Sequence, residues 1–234
     1  MTKPIIVEFN GLPGLGKTTV SKLLIDELNR EGYTTIRNYR RNVFHTLHHP
    51  FPELYNLKLF RLVSAYAKSI PPVGTRRTHV HWTNFYAQKY ESIMKDCNVD
   101  FAIIDEGIIQ FFQAMAYDDN LPESSLVDSI VMELKLKGIQ FIRVDLVNNV
   151  EIAARRVLSR PSRGLAYESM KQDELFSTLR TEAANFEYLR SVFSKVYKDQ
   201  VVITINTLDD PERNANLIKE SLIQHLTLKK TCNQ

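Results

Sequence analysis

A glycine-rich segment near the start constrains the fold of this chain more than any other feature. Residues 11–19 read GLPGLGKTT and follow a short apolar run at residues 5–9, which predicts a buried strand. Residues 18–31 then carry apolar side chains at helical spacing, and a glycine follows them, which predicts a helix. A strand, a glycine loop and a helix in this order are the context in which the pattern G-x-x-x-x-G-K-[ST] binds phosphate groups.

The residues of this loop carry separate parts of the predicted phosphate site. Glycines let backbone N–H groups turn inward toward an anion, and the following helix adds the partial positive charge of its N-terminus. Lys17 is expected to reach the β- and γ-phosphates as a catalytic residue, and the Thr18 hydroxyl is expected to ligate Mg²⁺. The whole loop is the predicted nucleotide contact: Gly11, Leu12, Pro13, Gly14, Leu15, Gly16, Lys17, Thr18 and Thr19.

The rest of the chain continues mainly as an alternation of strands and helices. Further strands are predicted at residues 33–36, 99–105, 139–147 and 200–206, and a last helix is predicted from Pro211 onward. Strands that are apolar on both faces are typical of parallel sheets covered by helices on both sides. The pattern therefore predicts an α/β fold.

One segment does not follow this alternation. Residues 38–98 contain a proline-bounded piece and two predicted helices, at residues 54–68 and 81–95, so we interpret the segment as a helical insertion after the second strand. An amphipathic helix is predicted at residues 125–137. The length of the chain suits a single domain over residues 1–234.

Composition and charge exclude several classes of protein. The net charge is +3 and the sequence pI is near 8.7, which suits an anionic small molecule but falls well short of a nucleic-acid-binding protein. The two cysteines, Cys97 and Cys232, have no disulfide or metal-ligand spacing. No apolar run approaches the roughly 18 residues that a membrane-spanning helix needs. We therefore expect a cytoplasmic protein with a small-molecule partner, and neither a membrane nor a nucleic-acid partner.

Two acidic residues end the third predicted strand. In FAIIDEG, Asp105 follows the apolar run and Glu106 comes directly after it. Phosphoryl transfer at a glycine loop requires a carboxylate at the end of another parallel strand, so Asp105 is the predicted metal ligand. Glu106 is predicted to be a general base, a substrate contact or a residue that supports the metal site without binding the metal directly. The alternative is that both acids only end the strand and face solvent.

An arginine-rich segment follows the fourth predicted strand. Arg155, Arg156, Arg160 and Arg163 lie within nine residues, and the spacing of Arg156 and Arg160 places them on one face of a helix. Planar guanidinium groups suit the negative charge that spreads over a transferring phosphoryl group. We therefore predict a lid over residues 150–168, in which Arg156 and Arg160 are catalytic and Arg156 also contacts the nucleotide. The alternatives are a solvated basic face and an RNA-binding patch.

Taken together, these segments resemble the P-loop nucleoside and nucleotide kinases, and are most similar to thymidylate kinase-like proteins. The likeness covers nearly the whole chain in layout, and in detail it rests on GLPGLGKTT, IIDEG and ARRVLSR. Membership implies a three-layer P-loop NTPase fold with a five-stranded parallel sheet, ATP as donor, Mg²⁺ and a mobile lid bearing arginines. It also implies that the loop at residues 206–208 passes near adenine, and it leaves a homodimer open.

Two departures from these families leave the acceptor open. Thymidylate kinases usually have Asp-Arg-Tyr where this chain has Asp-Glu-Gly at residues 105–107, and deoxynucleoside kinases usually have a catalytic glutamate just beyond the second strand, where residues 37–41 read RNYRR. A phosphate acceptor requires cations, whereas a hydroxyl acceptor benefits from a general base. The predicted acceptor contacts lie partly in the insertion at residues 38–98, and they are Arg37, Arg40, Arg76, Trp82 and Glu106. The arginines favour a nucleoside monophosphate slightly, whereas Glu106 could still serve a hydroxyl acceptor. Trp82 belongs to an aromatic stripe that is otherwise explained as core.

The sequence therefore predicts an ATP-dependent kinase that transfers the γ-phosphoryl group to a nucleoside monophosphate or a nucleoside. One alternative is a nucleotide-driven switch or assembly NTPase, although the guanine-reading motif of signal-recognition-type GTPases does not occur in the chain. Another is a kinase that acts on a non-nucleotide small molecule or on a polynucleotide 5′-hydroxyl.

Overall fold

The predicted strands form one sheet in the computed structural model of the protein. The structure describes residues 4–37, 57–69, 89–95, 98–115, 124–136, 138–139, 141–160, 167 and 170–232. The strands are β1 (Ile5–Asn10), β2 (Thr35–Arg37), β3 (Phe101–Ile104), β4 (Ile142–Val147) and β5 (Val202–Asn206). All five are parallel and lie in the order β2-β3-β1-β4-β5, which confirms the predicted α/β fold.

The three central strands β3, β1 and β4 are buried on both faces. Their apolar side chains join those of the helices in the main hydrophobic core, whose largest fully buried members include Phe9, Phe101 and Phe193. Because all strands run in the same direction, the loops that follow β1, β3 and β4 lie at one edge of the sheet. This edge brings together the glycine loop, the two acids and the start of the arginine segment.

Helices flank the sheet in two groups. The helices are α1 (Lys17–Arg30), α2 (Leu57–Ser69), α3 (Ile108–Met115), α4 (Ser124–Leu136), α5 (Val150–Leu158), α6 (Gln172–Val196) and α7 (Pro211–Cys232). Helices α1 and α7 pack against each other, while α6 contacts α3, α4 and α5. Helices α3 and α6 have no counterpart among the helices predicted above, and the predicted helix at residues 81–95 is described only over residues 89–95, which are helical.

Strand β3 is shorter than the segment predicted at residues 99–105 because polar contacts redirect both of its ends. At its start, the side chain of Asp100 accepts a hydrogen bond of 2.8 Å from the backbone N–H of Thr34. At its end, Asp105 forms an ion pair with Arg37 of β2. The predicted strand therefore gives way to a turn at Asp105, next to the glycine loop.

Charged side chains interrupt the apolar pattern of two central strands. Glu8 and Asn10 of β1 pair in register with Arg143 and Asp145 of β4, and all four are buried. Residues two apart on a strand share one face of the sheet, so these four side chains form a polar stripe on a single face. None of the helices in the described part of the chain has the length and hydropathy that a membrane-spanning helix needs.

Candidate active site

The glycine loop depends on close contacts between its backbone and two neighbouring elements. Gly11 and Gly14 have φ angles of 147° and 90°, and Gly16 at the start of α1 has a φ of 84°. A Cβ on Gly11 would lie 2.7 Å from the carbonyl oxygen of Leu146, and one on Gly14 would lie 2.4 Å from that of Ala153. These two glycines therefore let the loop rest against the end of β4 and against α5.

The side chains of the loop divide into buried anchors and exposed hydroxyls. Leu12 and Leu15 belong to the hydrophobic core, and Pro13 is half-buried. Thr18 and Thr19 are exposed at the start of α1. The two leucines, which were predicted as nucleotide contacts, fix the loop from beneath, so any contact from them to a nucleotide comes through the backbone.

Lys17 lies folded back onto the loop that carries it. Its Nζ donates hydrogen bonds of 2.6 Å to the carbonyl oxygen of Gly11 and of 3.3 Å to that of Leu12. Burial lowers the pKa of Lys17 to about 8, whereas the negative charges of Glu106 and other acids act to raise it. The ammonium group is thus held at the mouth of the loop by weak neutral partners, and an anion would be a stronger partner.

Asp105 and Arg37, predicted as a metal ligand and a substrate contact, are bound to each other. Nε of Arg37 donates a hydrogen bond of 3.3 Å to Oδ1 of Asp105, and its Nη2 donates one to Oδ2. Asp105 is buried and Arg37 is half-buried. The pair ties the end of β3 to the end of β2, and it compensates the charge of Arg37.

Glu106 stands next to this pair but is exposed. Its charge is the largest one acting on the pKa of Lys17, which places its carboxylate near the glycine loop. The described residues contain no group of three or more His, Cys, Asp or Glu side chains that could hold a metal ion alone. Mg²⁺ typically binds through one or two carboxylates together with substrate phosphates and water, so the carboxylates and the exposed Thr18 hydroxyl fit this ion as a donor set.

The arginine segment begins as helix α5, and its arginines differ in their surroundings. Nη2 of Arg156 donates a hydrogen bond of 2.8 Å to the carbonyl oxygen of Thr207, in the loop after β5. Arg160 is half-buried, and its positive charge lowers the pKa of Lys17, so it lies near the glycine loop. Arg155 is exposed, and Arg163 lies outside the described residues.

Three of the predicted acceptor contacts lie outside the residues that the structure describes. Arg40, Arg76 and Trp82 fall in the part of the insertion that lies outside the described residues. Among the predicted acceptor contacts, Arg37 and Glu106 are therefore the two whose surroundings are known.

Sequence reasoning missed a buried acid beneath the site. Oε1 of Glu8 accepts a hydrogen bond of 2.9 Å from the N–H of Ile109, and the hydroxyl of Tyr90 donates to Oε2. Burial raises the pKa of Glu8 to about 6. Burial lowers the pKa of Lys89, and the nearby negative charges of Glu8 and Asp105 act to raise it. The signal in the sequence was a charged residue inside a run otherwise typical of a fully buried strand.

A second buried acid, Glu182, was missed because helix α6 was not predicted. Its Oε1 accepts a hydrogen bond of 2.5 Å from the hydroxyl of Tyr167, and burial raises its pKa. The charge of Glu182 also acts to raise the pKa of Lys17. Glu182 thus contacts Tyr167, which follows α5 along the chain, and lies near Lys17 of the glycine loop.

Solved structures of a deoxyadenosine kinase from M. mycoides are similar to this chain. The form with bound dATP has a TM-score of 0.52 at 15% sequence identity, and the match covers 93% of this chain and 99% of that chain. The form with the products dCMP and dCDP bound has a TM-score of 0.49 at 17% identity, covering 94% and 100% of the two chains. No protein-family model and no curated protein matches the chain. At this identity the likeness establishes a shared fold.

Proposed function

We propose that the protein is an ATP-dependent phosphotransferase that moves the γ-phosphoryl group of ATP to a nucleoside or a nucleoside monophosphate. The observation that supports this most strongly is the electrostatic environment of Lys17. The charges that act on its pKa come from Glu106 and Asp105 after β3, from Arg160 after α5 and from Glu182 on α6. Separate parts of the chain thus bring acids and a cation to the mouth of one phosphate loop, as phosphoryl transfer requires.

In this proposal, the glycine loop binds the phosphate donor, ATP. Backbone N–H groups of residues 11–19 bind the β- and γ-phosphates, and Lys17 leaves the carbonyl oxygens of Gly11 and Leu12 to bind the phosphate oxygens. Thr18 and Asp105 are the residues that would hold Mg²⁺, which neutralises charge on the β- and γ-phosphates when bound. A carboxylate has about four acceptor sites, so Asp105 can keep its pair with Arg37 and still serve the metal, directly or through water.

The two described arginines near the loop have different proposed roles. Arg160, whose charge reaches Lys17, stabilises the negative charge of the transferring group. Arg156, bonded to Thr207, connects the base of the lid to the loop near adenine. We propose one domain over residues 1–234, in which residues 150–168 form the lid and residues 38–98 form the acceptor side.

The acceptor that the described residues favour is a nucleoside. Arg37 is already neutralised by Asp105, so it is a poor partner for an acceptor phosphate. Glu106 is an exposed carboxylate beside this pair, and it can serve as a base for a hydroxyl group. The deoxyadenosine kinase that shares the fold adds support for a nucleoside. A nucleoside monophosphate is the second candidate, and it is favoured by Arg40 and Arg76 of the insertion.

With a nucleoside as acceptor, the step is an in-line displacement at the γ-phosphorus. The carboxylate of Glu106 takes the proton of the acceptor hydroxyl while the acceptor oxygen bonds to phosphorus. The bond between the γ-phosphorus and the bridging oxygen breaks, and ADP leaves with that oxygen. A positioned base contributes a rate factor of about 10² to 10⁴.

A panel of acceptors tests the proposal. The protein is incubated with Mg-ATP and, in separate reactions, with nucleosides, nucleoside monophosphates, sugars and an oligonucleotide with a free 5′-hydroxyl, and ADP release is followed. We expect nucleosides to stimulate release and the Lys17→Ala variant to abolish it. Lys22→Ala is the matched control, since Lys22 is an exposed lysine on the same helix. Tight ATP binding without stimulation by any acceptor would instead favour a nucleotide-driven switch.

A further inference from the structure

Glu8 holds the start of the helix that follows Glu106. Its side chain is fully buried, and its Oε1 accepts the N–H of Ile109, in the first turn of α3. The backbone N–H of Ile108 also contributes to holding the carboxylate. The first N–H groups of a helix have no partner within the helix, so an acceptor from outside caps it. Glu8 therefore caps α3 from the neighbouring strand.

The same carboxylate explains the glycine at position 107. A Cβ on Gly107 would lie 2.2 Å from Cδ of Glu8 and 2.4 Å from both its Cγ and its Oε2. Gly107 is not among the described glycines with positive φ, so its backbone conformation is open to other residues. The three nearest obstacles to a larger residue at position 107 all belong to the side chain of Glu8.

Strand pairing completes the attachment. Glu8 pairs in register with Ile104, the last residue of β3, and the chain then turns through Asp105, Glu106 and Gly107 over the Glu8 side chain. The Tyr90 hydroxyl donates to Oε2, the carboxylate oxygen that does not accept from Ile109. Glu8 thus contacts the chain on both sides of Glu106. It pairs with Ile104 before it, packs against Gly107 directly after it, and accepts a hydrogen bond from Ile109.

We propose that Glu8 and Gly107 form a buried clamp that positions the Glu106 carboxylate at the mouth of the phosphate loop. This inference rests on the proposed function, since it assigns the clamp to the reaction that Glu106 serves. Glu8 is a positioning residue, because its side chain is fully buried and does not reach a bound substrate. In this clamp, the Glu8 side chain leaves room only for glycine at position 107, and glycine at position 107 lets the turn lie close against Glu8.

A double-mutant cycle tests the clamp. Gly107→Ala places a methyl group against Glu8 and displaces the turn, so we expect kcat to fall by about 10²-fold while the Kd for Mg-ATP stays the same. Glu8→Ala removes the cap, and a similar fall in kcat is expected. In the double variant the methyl group occupies the space that Glu8 leaves, so kcat should exceed the product of the single effects by at least about tenfold. Independent, multiplicative effects would overturn the proposal.

A conservative variant separates positioning from simple loss of structure. Glu8→Gln keeps an oxygen for the N–H of Ile109 and a partner for Tyr90, so kcat should stay within about threefold of the wild type. A loss in Glu8→Gln equal to that in Glu8→Ala, with both proteins folded, would contradict the clamp.

Failure of the clamp is distinguishable from failure of the proposed function. If the wild type transfers phosphate but the cycle is multiplicative, the clamp is wrong and the function stands. If the wild type transfers phosphate to no acceptor, amide hydrogen exchange at Ile109 takes the place of kcat. Gly107→Ala and Glu8→Ala should then both speed this exchange, because one displaces the turn from the Glu8 carboxylate and the other removes the acceptor, whereas Glu8→Gln should leave it slow. Unchanged exchange in Gly107→Ala would overturn the clamp.

Discussion

Nζ of Lys17 lies 2.6 Å from the carbonyl oxygen of Gly11, so the cation that is expected to bind phosphate is bonded to its own loop. Burial is the main reason that its pKa is lowered to about 8, and the charge of Glu106 opposes this effect. Bound phosphate would add negative charge beside the ammonium group and raise its pKa. Binding of ATP should therefore favour the protonated form of Lys17.

This relationship predicts proton uptake on binding. Since the pKa of free Lys17 is about 8 and phosphate raises it, the complex holds more protons than the free protein at pH 8 and above. The Kd for ATP should rise as the pH increases above 8. Calorimetry in two buffers of different ionisation enthalpy measures the uptake directly. Lys17→Met should lack it, and uptake in that variant equal to the wild type would assign the proton to another group.

The ion pair between Arg37 and Asp105 predicts a difference between two arginine variants. Arg37→Ala removes the arginine that pairs with a buried carboxylate and should lower the free energy of unfolding by about 1–3 kcal/mol. The matched control is Arg30→Ala, which breaks the exposed pair with Glu27 and should cost less than about 1 kcal/mol. Urea unfolding measures both values. Equal losses of unfolding free energy in the two variants would show that the Arg37–Asp105 pair stabilises the fold no more than an exposed ion pair does.

The buried carboxyl of Glu8 predicts how stability depends on pH. Its pKa is raised from 4.5 to about 6, so the stability that its protonated form contributes is fully present below pH 4.5 and is lost as the pH rises through 6. Glu8→Gln stays neutral and should be more stable than the wild type at pH 7 by about 2 kcal/mol. The difference should shrink toward zero below pH 4.5. A difference that does not change with pH would mean that Glu8 keeps an ordinary pKa.

The two half-buried arginines of the proposed lid predict different kinetic defects. Arg160→Ala should lower kcat by about 10²- to 10³-fold with a small change in ATP affinity, because its proposed role is to stabilise the charge of the transferring group. Arg156→Ala removes the hydrogen bond to Thr207 and should mainly raise the KM for ATP. Arg155→Ala is the control, since Arg155 is exposed. Steady-state kinetics with varied ATP separates these outcomes, and identical defects in Arg156→Ala and Arg160→Ala would contradict the assignment.

Much of the fold could be predicted because its signals are local. The strand, glycine loop and helix from Ile5 to Arg30 follow from apolar spacing and from glycines that need unusual φ angles. The three central strands follow from apolar runs that are buried on both faces, and the two outer strands follow from short runs of β-branched residues that are less buried. Their order could not be read from the sequence, because pairing of β1 with β3 and β4 depends on contacts between distant segments.

The parts of the site that were missed depend on tertiary contacts. The Arg37–Asp105 pair joins residues 68 positions apart, and Glu8 bonds Ile109 at a separation of 101. Glu182 lies on α6, whose apolar stripe was not recognised, so nothing marked it as a neighbour of Lys17. Sequence patterns predicted the glycine loop and the acids after β3 as parts of one site, whereas the partners that hold them in place are visible only in the folded chain.

Direct detection of the product tests the central claim. The protein is mixed with Mg-ATP and single nucleosides, and the reaction is analysed by mass spectrometry for a nucleoside monophosphate. We expect one or more nucleosides to be converted with an equal amount of ADP formed, and we expect no conversion by Lys17→Ala. ADP formation without any phosphorylated nucleoside, or phosphorylation of nucleoside monophosphates alone, would contradict the assignment of a hydroxyl acceptor with Glu106 as its base.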